Sequence, residues 1–356
     1  MVTAIIVNYH SRLLTVRAAA SVMADCPDAQ LIVIDNSEDA VEAAELRRLL
    51  PPQAECIVSQ QNLGFGRACN LGFEQARHDW IFLLNPDAFV LNGCIAELVA
   101  FLQHHPRVGA VSPLTWWDTE QCWLLSPSQL QTPFTELVLA LALRHPRFGS
   151  LVSRAFRQWA LGCLTAGQPV AQKMLSGGVV MLRRSALVAA GGLFDPAFFM
   201  YYEDTDLCRR LLKASFALYL VPQAGAIHAW ESASDKGGLA VSSRLLYFQK
   251  HFPGSLLFRL RQLLERLNPG LRLPVSRQLG VCQSPPEFTV PPELHVGWVL
   301  ELSPQPLLVP ALYCRGRGSI AKISDQVWAL LGAGDYWARI GSPDGRTLQG
   351  FHFRKT

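Results

Sequence analysis

The sequence predicts an α/β domain with a mostly parallel sheet covered by helices on both faces, followed by a small C-terminal β-rich appendage. Short, almost wholly apolar runs alternate with helical stretches over residues 4–84. Such runs are typical of parallel strands that are buried on both faces. Polar residues directly follow three of these runs. The tail at 293–356 has short strand-like runs and turn residues instead.

The predicted elements follow one another along the chain in a regular order. Strands are expected at 4–7, 31–34, 56–59 and 80–84, and helices at 13–24, 41–50 and 66–76. Helical periodicity returns at 127–167 and 245–267. Segment 268–292 is rich in Pro and Gly, has little periodicity and is predicted to be a linker. The expected domains are therefore 1–267 and 293–356.

The tail carries a hairpin signal and several large aromatic residues. Ser342-Pro343-Asp344-Gly345 has turn residues in suitable places for a hairpin. Aromatic side chains can stack on sugar rings or mediate homo-oligomer contacts, but filling a small β core is the favoured interpretation. The aromatic residues concerned are Trp298, Tyr313, Trp328, Tyr336, Trp337, Phe351 and Phe353.

Composition excludes several classes of protein. The 356 residues are 50% hydrophobic, which indicates a globular chain, and the net charge of +4 is too small for nucleic acid as the main partner. The nine cysteines are irregularly spaced without a C-x-x-C pair, which argues against a secreted disulfide framework or a structural zinc site. The sequence has neither a signal-peptide pattern nor a long apolar run, so a cytoplasmic protein is expected.

Polar residues follow three predicted strands. Asn8-Tyr9 ends the first, Asp35-Asn36 the second, and Asn85-Pro86-Asp87 the fourth. Ligands of open parallel sheets bind beyond the carboxyl ends of the strands. One such residue alone is better explained as a turn or helix cap. Three together favour a binding site, where Asp87 suits a hard divalent ion or a diphosphate.

A pair of carboxylates precedes a predicted amphipathic helix. Glu203 and Asp204 follow a run of large aromatic residues and precede the helix LCRRLLKA. Acids at a helix N-terminus are often only caps, and this interpretation suits Asp206. At a partly buried rim, however, the pKa of a carboxylate rises toward the range useful for a general base.

Glycine-rich turns and one histidine complete the set of candidates. Asn62-Leu63-Gly64-Phe65-Gly66 enters a helix, and either phosphate contact or a tight strand-to-helix turn explains it. Ser176-Gly177-Gly178 lets the backbone pass close to a ligand. His228 follows an apolar strand and would complete a metal site, although a lone histidine is more often simply packed.

These motifs, in this order, resemble the family-2 inverting glycosyltransferases of the Rossmann-like GT-A fold. The resemblance covers residues 2–250 and is strongest to the bacterial branch that includes rhamnosyltransferases and galactofuranosyltransferases. It rests on VNYHS, VIDNS, NLGFGRACN, LLNPDA, SGGVVMLRRSAL and GLFDPAFFMYYEDTDLCRRL, followed by a histidine.

The resemblance implies a role for each matching residue. Nucleotide binding falls to Asn8, Tyr9, Asp35, Asn62, Gly64 and Asn70. Donor and acceptor binding fall to Asn85, Ser176, Gly177 and Gly178. Asp87 and His228 would hold Mg²⁺ or Mn²⁺, with Asp204 as the base and Glu203 beside it. Asn85 replaces the first acid of the family's D-x-D motif, which bears on how tightly metal binds without donor.

The expected activity is transfer of a sugar from a nucleotide sugar, with dTDP-rhamnose favoured, to a saccharide or lipid-linked acceptor in polysaccharide biosynthesis. An inactive nucleotide-sugar-binding scaffold is one alternative, but the intact Asp87 and Glu203-Asp204 argue against it. A nucleotidyltransferase is another, although it would open with a Gly-rich basic loop where this chain has NYHSRLL.

A basic, leucine-rich segment bears on where the acceptor lies. Residues 256–273 interleave leucines with Arg259, Arg261, Arg266 and Arg272. Such a helix can lie on an anionic membrane surface, here the inner face of the plasma membrane. Packing of its apolar stripe on the domain explains the pattern equally well.

Overall fold

The computed structural model describes residues 1–229, 237–266, 276–345 and 348–356, and it divides the chain into two compact units. The first unit comprises Met1–Thr115, Ser128–Leu130 and Ala166–His251. The second unit comprises Trp116–Pro127, Gln131–Thr165 and Phe252–Thr356. None of the described helices combines the length and the hydropathy needed to cross a membrane.

The secondary-structure elements have the following bounds. As far as α6 they are β1 Val2–Asn8, α1 Arg12–Asp25, β2 Gln30–Asp35, α2 Ala40–Leu49, β3 Glu55–Val58, α3 Phe65–Gln75, β4 Trp80–Leu84, β5 Ala88–Val90, α4 Cys94–His104, β6 Val108–Trp116, β7 Trp123–Leu124, α5 Pro133–Ala142 and α6 Pro146–Leu164. Then come β8 Val170–Gln172, β9 Val179–Arg183, α7 Arg184–Ala189, α8 Glu203–Lys213, β10 Ala217–His228, α9 Gly237–His251 and α10 Leu256–Arg266. The last are β11 Arg277–Cys282, β12 Glu287–Thr289, β13 Trp298–Ser303, β14 Leu312–Gly316, β15 Ile320–Lys322, α11 Asp325–Leu330, β16 Gly334–Gly341 and β17 Leu348–Lys355.

The sheet of the first unit has the strand order β3-β2-β1-β4-β9-β6. Its first four strands are parallel, while β9 is antiparallel to both β4 and β6. The register aligns Asn8 with Asp35 and Ile6 with Leu84, so the carboxyl ends of β1, β2 and β4 meet at one edge. The expected convergence of polar strand ends is therefore present.

Successive residues of the central strands face opposite hydrophobic clusters. Ile6 and Val33 belong to one cluster with α1 and α4, whereas Ile5 and Ile32 belong to the other with α3 and α8. Side chains alternate across a strand, so a wholly apolar strand requires cover on both faces. The predicted sheet with helices on both faces is confirmed for the first unit.

The second unit has a hydrophobic core of its own. Its strand order is β11-β17-β16-β13-β14-β7, and β12 pairs separately with β15. The predicted hairpin is present, because β16 and β17 are antiparallel on either side of the turn that begins at Ser342. Six of the seven tail aromatics are buried, which confirms core filling for them, and Trp337 is half-buried.

The predicted linker at 268–292 requires correction. Residues 267–275 lie outside the described chain, but β11 and β12 form within the remainder. β11 has no sequence signature because it pairs on one side only, with β17, is largely exposed, and contains Gly280 at positive φ.

The predicted boundary at residue 267 also differs from the structure. The helices α5, α6 and α10 group with the C-terminal strands in the second unit, which is therefore larger than a small appendage of residues 293–356. Sequence periodicity identifies a helix, but it does not indicate the sheet on which that helix packs.

Candidate active site

Asn8 and Asp35 meet at the ends of β1 and β2. Asn8 Nδ2 donates to Asp35 Oδ1 at 2.8 Å, and Asn8 Oδ1 accepts from Thr15 Oγ1 at 2.9 Å and from the Ser11 backbone N–H at 3.2 Å. Asn8 is fully buried, so its amide organises the strand end. Asp35 Oδ2, in contrast, is buried without a hydrogen-bond partner. A buried acceptor that lacks a hydrogen-bond donor is a candidate for contact with a ligand N–H group.

Tyr9 and Asn62 lie beside this strand end in different environments. The Tyr9 ring is exposed directly after Asn8. Asn62 Oδ1 accepts from Asn36 Nδ2 at 2.9 Å and from the Gly64 backbone N–H at 3.0 Å. Asn36 was not among the predicted site residues, although it adjoins Asp35 in VIDNS. Its Oδ1 also accepts from the Leu63 N–H, so it ties the turn after β3 to the end of β2.

Gly64 and Asn70 contact the segment that directly precedes α8, at Phe199 and Phe194. A Cβ on Gly64, which has φ +76°, would lie 2.2 Å from the Phe199 carbonyl oxygen, and the Phe65 N–H donates to that oxygen at 2.9 Å. Both amide atoms of Asn70 bond the backbone of Phe194, at 2.8 and 2.9 Å. The structure thus favours a tight turn packed on this segment over a phosphate loop.

Asp87, His228 and Asn85 form one cluster beyond β4. His228 Nε2 lies 3.1 Å from Asp87 Oδ1 and 3.4 Å from Asn85 Nδ2. The β5–β10 pairing sets Ala88 against His228, and the Ala229 N–H donates to the Asp87 carbonyl. Asn85 Oδ1 is buried without a hydrogen-bond partner. Two residues that are far apart in sequence are thereby brought together as the sequence predicted.

The donor atoms of this cluster fit a divalent ion. Ligands at neighbouring positions of an octahedral ion with bonds of about 2.1 Å lie about 3.0 Å apart, and Asp87 Oδ1 and His228 Nε2 are 3.1 Å apart. In the absence of a metal, His228 Nε2 would have to donate a hydrogen bond to Asp87 Oδ1 and accept one from Asn85 Nδ2, and one ring nitrogen cannot do both at once. A cation held by Nε2 and Oδ1 removes that conflict, and the unpartnered Asn85 Oδ1 supplies a further hard oxygen nearby.

Gly177 and Gly178 lie between the cluster of Asn85, Asp87 and His228 and the acidic pair. A Cβ on Gly178 would lie 2.8 Å from His228 Cε1 and 3.0 Å from Asn85 Nδ2. The Gly177 N–H donates to Asp204 Oδ2 at 3.1 Å, and Ser176 Oγ accepts from the Gly178 N–H at 3.3 Å. The backbone passes directly against the His228, Asn85 and Asp204 side chains, which leaves little room for a Cβ at either glycine.

Glu203 and Asp204 lie in the first turn of α8, directly after two residues with a strained backbone. Tyr201 and Tyr202 both have positive φ, near +68°, which is costly for bulky residues and is found most often at functional sites. Asp204 Oδ1 accepts from the Thr205 backbone N–H at 2.7 Å and from its hydroxyl at 3.2 Å. These contacts orient the carboxylate, and Glu203 Oε2 is buried without a hydrogen-bond partner.

The electrostatics of this pair suit proton transfer. Burial, and then the neighbouring Asp204 carboxylate, raises the pKa of Glu203 to about 8. Burial also raises the pKa of Asp204, although its hydrogen bonds from Gly177 and Thr205 oppose that shift. Near neutral pH the pair therefore retains a proton. Neither carboxylate forms an ion pair with a described residue.

Asp206, one helical step further, behaves differently. It is fully buried and contacts Arg210 Nε at 2.7 Å, His251 Nε2 at 2.7 Å and Lys250 Nζ at 2.6 Å. Burial alone would raise the pKa of Asp206, but the hydrogen bonds from Lys250 and Arg210 lower it. The predicted capping role is replaced by an ion-pair network whose partners on α9 the sequence did not reveal.

The family model for glycosyl transferase family 2 matches residues 3–161. The chain is also 31% identical over 227 residues to the N-acetylglucosaminyl-diphospho-decaprenol L-rhamnosyltransferase of Mycobacterium tuberculosis, covering 59% of this chain and 69% of that protein. It is 25% identical over 242 residues to rhamnosyltransferase WbbL of Escherichia coli K12, covering 64% of this chain and 83% of WbbL.

Among solved structures, that of GalNAc-T7 with UDP, GalNAc and Mn²⁺ aligns with a TM-score of 0.49 at 16% identity. The alignment covers 75% of this chain and 54%, about half, of that one. The sequence relatives carry the family assignment, because the rhamnosyltransferase of Mycobacterium tuberculosis is 31% identical and is covered over 69% of its length. The chain therefore belongs to glycosyltransferase family 2, in its rhamnosyltransferase-like branch, and is a glycosyl-transferring enzyme of GT-A fold.

Proposed function

We propose that this enzyme transfers rhamnose from dTDP-rhamnose, with inversion, to a hydroxyl of a saccharide carried on a diphospho-lipid. The observation that carries the proposal is the Gly177-Gly178 backbone, with Asp204 on one side and the Asp87–His228 pair on the other. This arrangement supplies a base for the acceptor and a charged anchor for the donor. The names of the curated relatives support the sugar and the acceptor class.

Asp204 is the proposed base. Its carboxylate accepts the proton of the acceptor hydroxyl while the acceptor oxygen bonds to the anomeric carbon. The bond from that carbon to the diphosphate oxygen breaks on the opposite face, which inverts the configuration, and the nucleoside diphosphate leaves. General base catalysis of this kind contributes about 10²–10⁴-fold. Hydrogen bonds from Gly177 and Thr205 hold the carboxylate in place.

Asp87, His228 and Asn85 are the proposed holders of Mg²⁺ or Mn²⁺. Such an ion, when bound, offsets the charge that grows on the leaving diphosphate. Asn85 contributes the neutral, buried oxygen that has no hydrogen-bond partner among the described residues. Because one acid of the usual pair is missing, the donor's own phosphates are expected to complete the coordination, as Mg²⁺ sites commonly require.

The nucleotide is proposed to lie at the ends of β1 and β2. Asp35 Oδ2 is the buried acceptor available for a base N–H group, and the exposed Tyr9 ring is available for stacking. Asn8, Asn62 and Asn70 act here by positioning, since their amides bond other parts of the protein.

A panel of nucleotide sugars tests the proposal. The purified enzyme is heated with dTDP-rhamnose, UDP-glucose or GDP-mannose in Mg²⁺, Mn²⁺ or EDTA. We expect dTDP-rhamnose with metal to raise the melting temperature most, and EDTA to abolish the rise. Turnover with an N-acetylglucosaminyl-diphospho-lipid should then release dTDP and a rhamnosylated product. Release of pyrophosphate, or stabilisation by another donor alone, would refute the assignment.

Peripheral membrane association is proposed for the second unit. On α10 none of the described residues is buried, and Leu256, Leu257, Leu260 and Leu263 are exposed. Arg259 and Arg266 are exposed on the same helix, whereas Arg261 pairs with Glu136 and Glu265. Arg272 lies outside the described residues. Exposed leucines flanked by arginines match the chemistry of an anionic lipid surface, to which a lipid-linked acceptor would be anchored.

Liposome flotation tests this association. We expect the wild type to float with anionic vesicles at low salt, and a Leu256→Ser, Leu260→Ser, Leu263→Ser variant to remain in the dense fraction. The matched control is Val41→Ser, an exposed apolar residue on α2. Equal flotation of the triple variant, or no flotation of the wild type, would refute membrane association by α10.

A further inference from the structure

The second unit contains a cavity that the proposed function does not use. Its volume is about 370 Å³, within the range of roughly 300–1,000 Å³ that is usual for small-molecule sites. One wall is a face of α6 that carries Arg147, Ser150 and Arg154, and the opposite wall includes Trp337, Arg339 and Phe351. No aspartate or glutamate is among the described residues that line it.

The cationic groups on the α6 wall are available. Arg147 and Arg154 are exposed, and neither forms a side-chain hydrogen bond or ion pair with a described residue. Arg147 lies in the first turn of α6, where His145 provides no side-chain cap. The N–H groups of that turn and the positive end of the helix dipole therefore favour an anion at this end of the cavity.

A buried cluster behind the cavity adds a further positive charge. Glu301 accepts from Arg157 Nε at 2.7 Å, and from Arg339 Nε at 2.7 Å and Nη2 at 2.6 Å. The three residues are 0%, 1% and 8% exposed, so one carboxylate faces two buried guanidinium groups. Arg157 Nη1 is buried and has no hydrogen-bond partner in the part of the chain that the structure describes. Since Arg339 also lines the cavity, an anion there would offset the unbalanced charge.

We propose that this cavity binds an acidic saccharide, a sugar that bears a phosphate or a carboxylate group. The guanidinium groups of Arg147 and Arg154 match the acidic group, and Arg339, which is bonded to Glu301 and Ser153, adds positive charge to the same lining. Ser150 Oγ donates to the Pro146 carbonyl at 2.9 Å and therefore offers the sugar an acceptor oxygen. The half-buried indole of Trp337 packs against the His352 ring at 4.8 Å between centroids and supplies a ring face for stacking. The proposal concerns the second unit alone and does not depend on the donor or acceptor of the transfer reaction.

Calorimetric titration of the full-length protein tests the proposal. The probes are glucose 1-phosphate, glucuronic acid, inorganic phosphate and glucose. We expect at least one acidic sugar to bind at millimolar or lower concentration, and glucose to bind much more weakly. Binding of only the phosphate sugar identifies phosphate-bearing saccharides, and binding of only the uronic acid identifies carboxylate-bearing ones. Failure of both acidic sugars, or equal binding of glucose, would overturn the proposal.

Paired variants locate the binding. Arg147→Ala with Arg154→Ala should weaken the acidic sugar about tenfold or more, because two charge-assisted contacts are lost. The matched control is Arg315→Ala with Arg317→Ala, exposed arginines of the same unit outside the cavity. Equal effects in the two double variants would indicate only net charge and would refute the site.

A substitution of Trp337 distinguishes recognition of the sugar ring from recognition of the acidic group. Trp337→Ala should lose affinity for the acidic sugar more than for inorganic phosphate, because only a sugar ring stacks on indole. An equal loss for both probes would refute the saccharide part of the proposal.

Discussion

A pair of buried acids in the first unit and a single buried acid in the second unit have opposite electrostatic surroundings. In the first unit Glu203 and Asp204 lie at a strained helix start without an ion-pair partner among the described residues. In the second unit Glu301 is held by the guanidinium groups of Arg157 and Arg339. Burial disfavours the charged form of an acid unless a cation or hydrogen bonds compensate it. The first group is therefore placed to exchange a proton, and the second to hold structure.

Asp206 sharpens the comparison, because it lies on the same helix as the unpaired acids. It has the burial of its neighbours but also has Lys250, Arg210 and His251 as partners. Its pKa shifts downward, while those of Glu203 and Asp204 shift upward. The direction of the shift thus follows the cation partners and not the helix. Four substitutions test this distinction.

The largest effect is expected on turnover. Asp204→Asn removes the proposed base and should lower kcat by about 10²–10⁴-fold, with little change in dTDP-rhamnose affinity or melting temperature. Release of dTDP in the presence of acceptor measures the rate. Asp28→Asn, an exposed acid of the same unit, is the control and should keep full activity. Near-normal transfer by Asp204→Asn would show that the base lies elsewhere.

The next effect is on stability. Glu301→Gln leaves two guanidinium groups buried without their carboxylate, so the free energy of unfolding should fall by about 3–5 kcal/mol. Urea unfolding followed by tryptophan fluorescence measures the change. Glu265→Gln, which breaks an exposed pair with Arg261 on α10, should cost about 0.3–0.5 kcal/mol. Similar losses in the two variants would contradict a structural role for the buried cluster.

A smaller loss is expected from Asp206→Asn, at about 1.5–3 kcal/mol near pH 7. The low pKa of Asp206 stabilises the fold above the ordinary pKa of an aspartate, and this stabilisation is lost as pH falls through the folded value. The wild type and variant should therefore converge in acid. Melting temperatures across pH 3–7 measure this, with exposed Asp79→Asn as the control. A difference that is independent of pH would refute the ion-pair explanation.

The smallest effect is expected to have the opposite sign. The pKa of Glu203, about 8, lies above its ordinary 4.5, so the folded state binds the extra proton and stability falls as pH rises through that window. Glu203→Gln should therefore melt higher than the wild type at pH 9, by about 2–4 °C for each kcal/mol regained. Exposed Glu74→Gln should show no such gain. A variant less stable than the wild type at pH 9 would indicate that the charged form has a partner.

Much of the first unit could be predicted because its signals are local. Strand 80–84 has the predicted bounds, and the predicted helix 66–76 lies at Phe65–Gln75. Period and polarity are properties of neighbouring residues, so they can be read along the chain. The pairing of Asp87 with His228, 141 residues apart, has no local signal, and the resemblance to a known family was the strongest indication of it.

The remainder depends on contacts between distant segments. The family resemblance assigned Asn70 to nucleotide binding. In the structure its side-chain amide forms a hydrogen bond with the Phe194 backbone, 124 residues away. Helix α6 was visible as a helix, yet the pairing of its Arg157 with Glu301, across 144 residues, carries no local signal. The strand β11 lies in the segment predicted to be a linker. An exposed edge strand needs no apolar face, so the sequence carries no strand pattern there.

The sequence by itself determined which groups are present and which strand ends and helix starts carry them. Asp35, Asp87, Glu203 and Asp204 are at positions that their flanking residues already indicated. The tertiary structure decided which of the acids have cations beside them, and hence why the pKa of Glu203 is raised while that of Asp206 is lowered. The reason is physical, because desolvation and Coulomb energy depend on distances in space and not on positions along the chain.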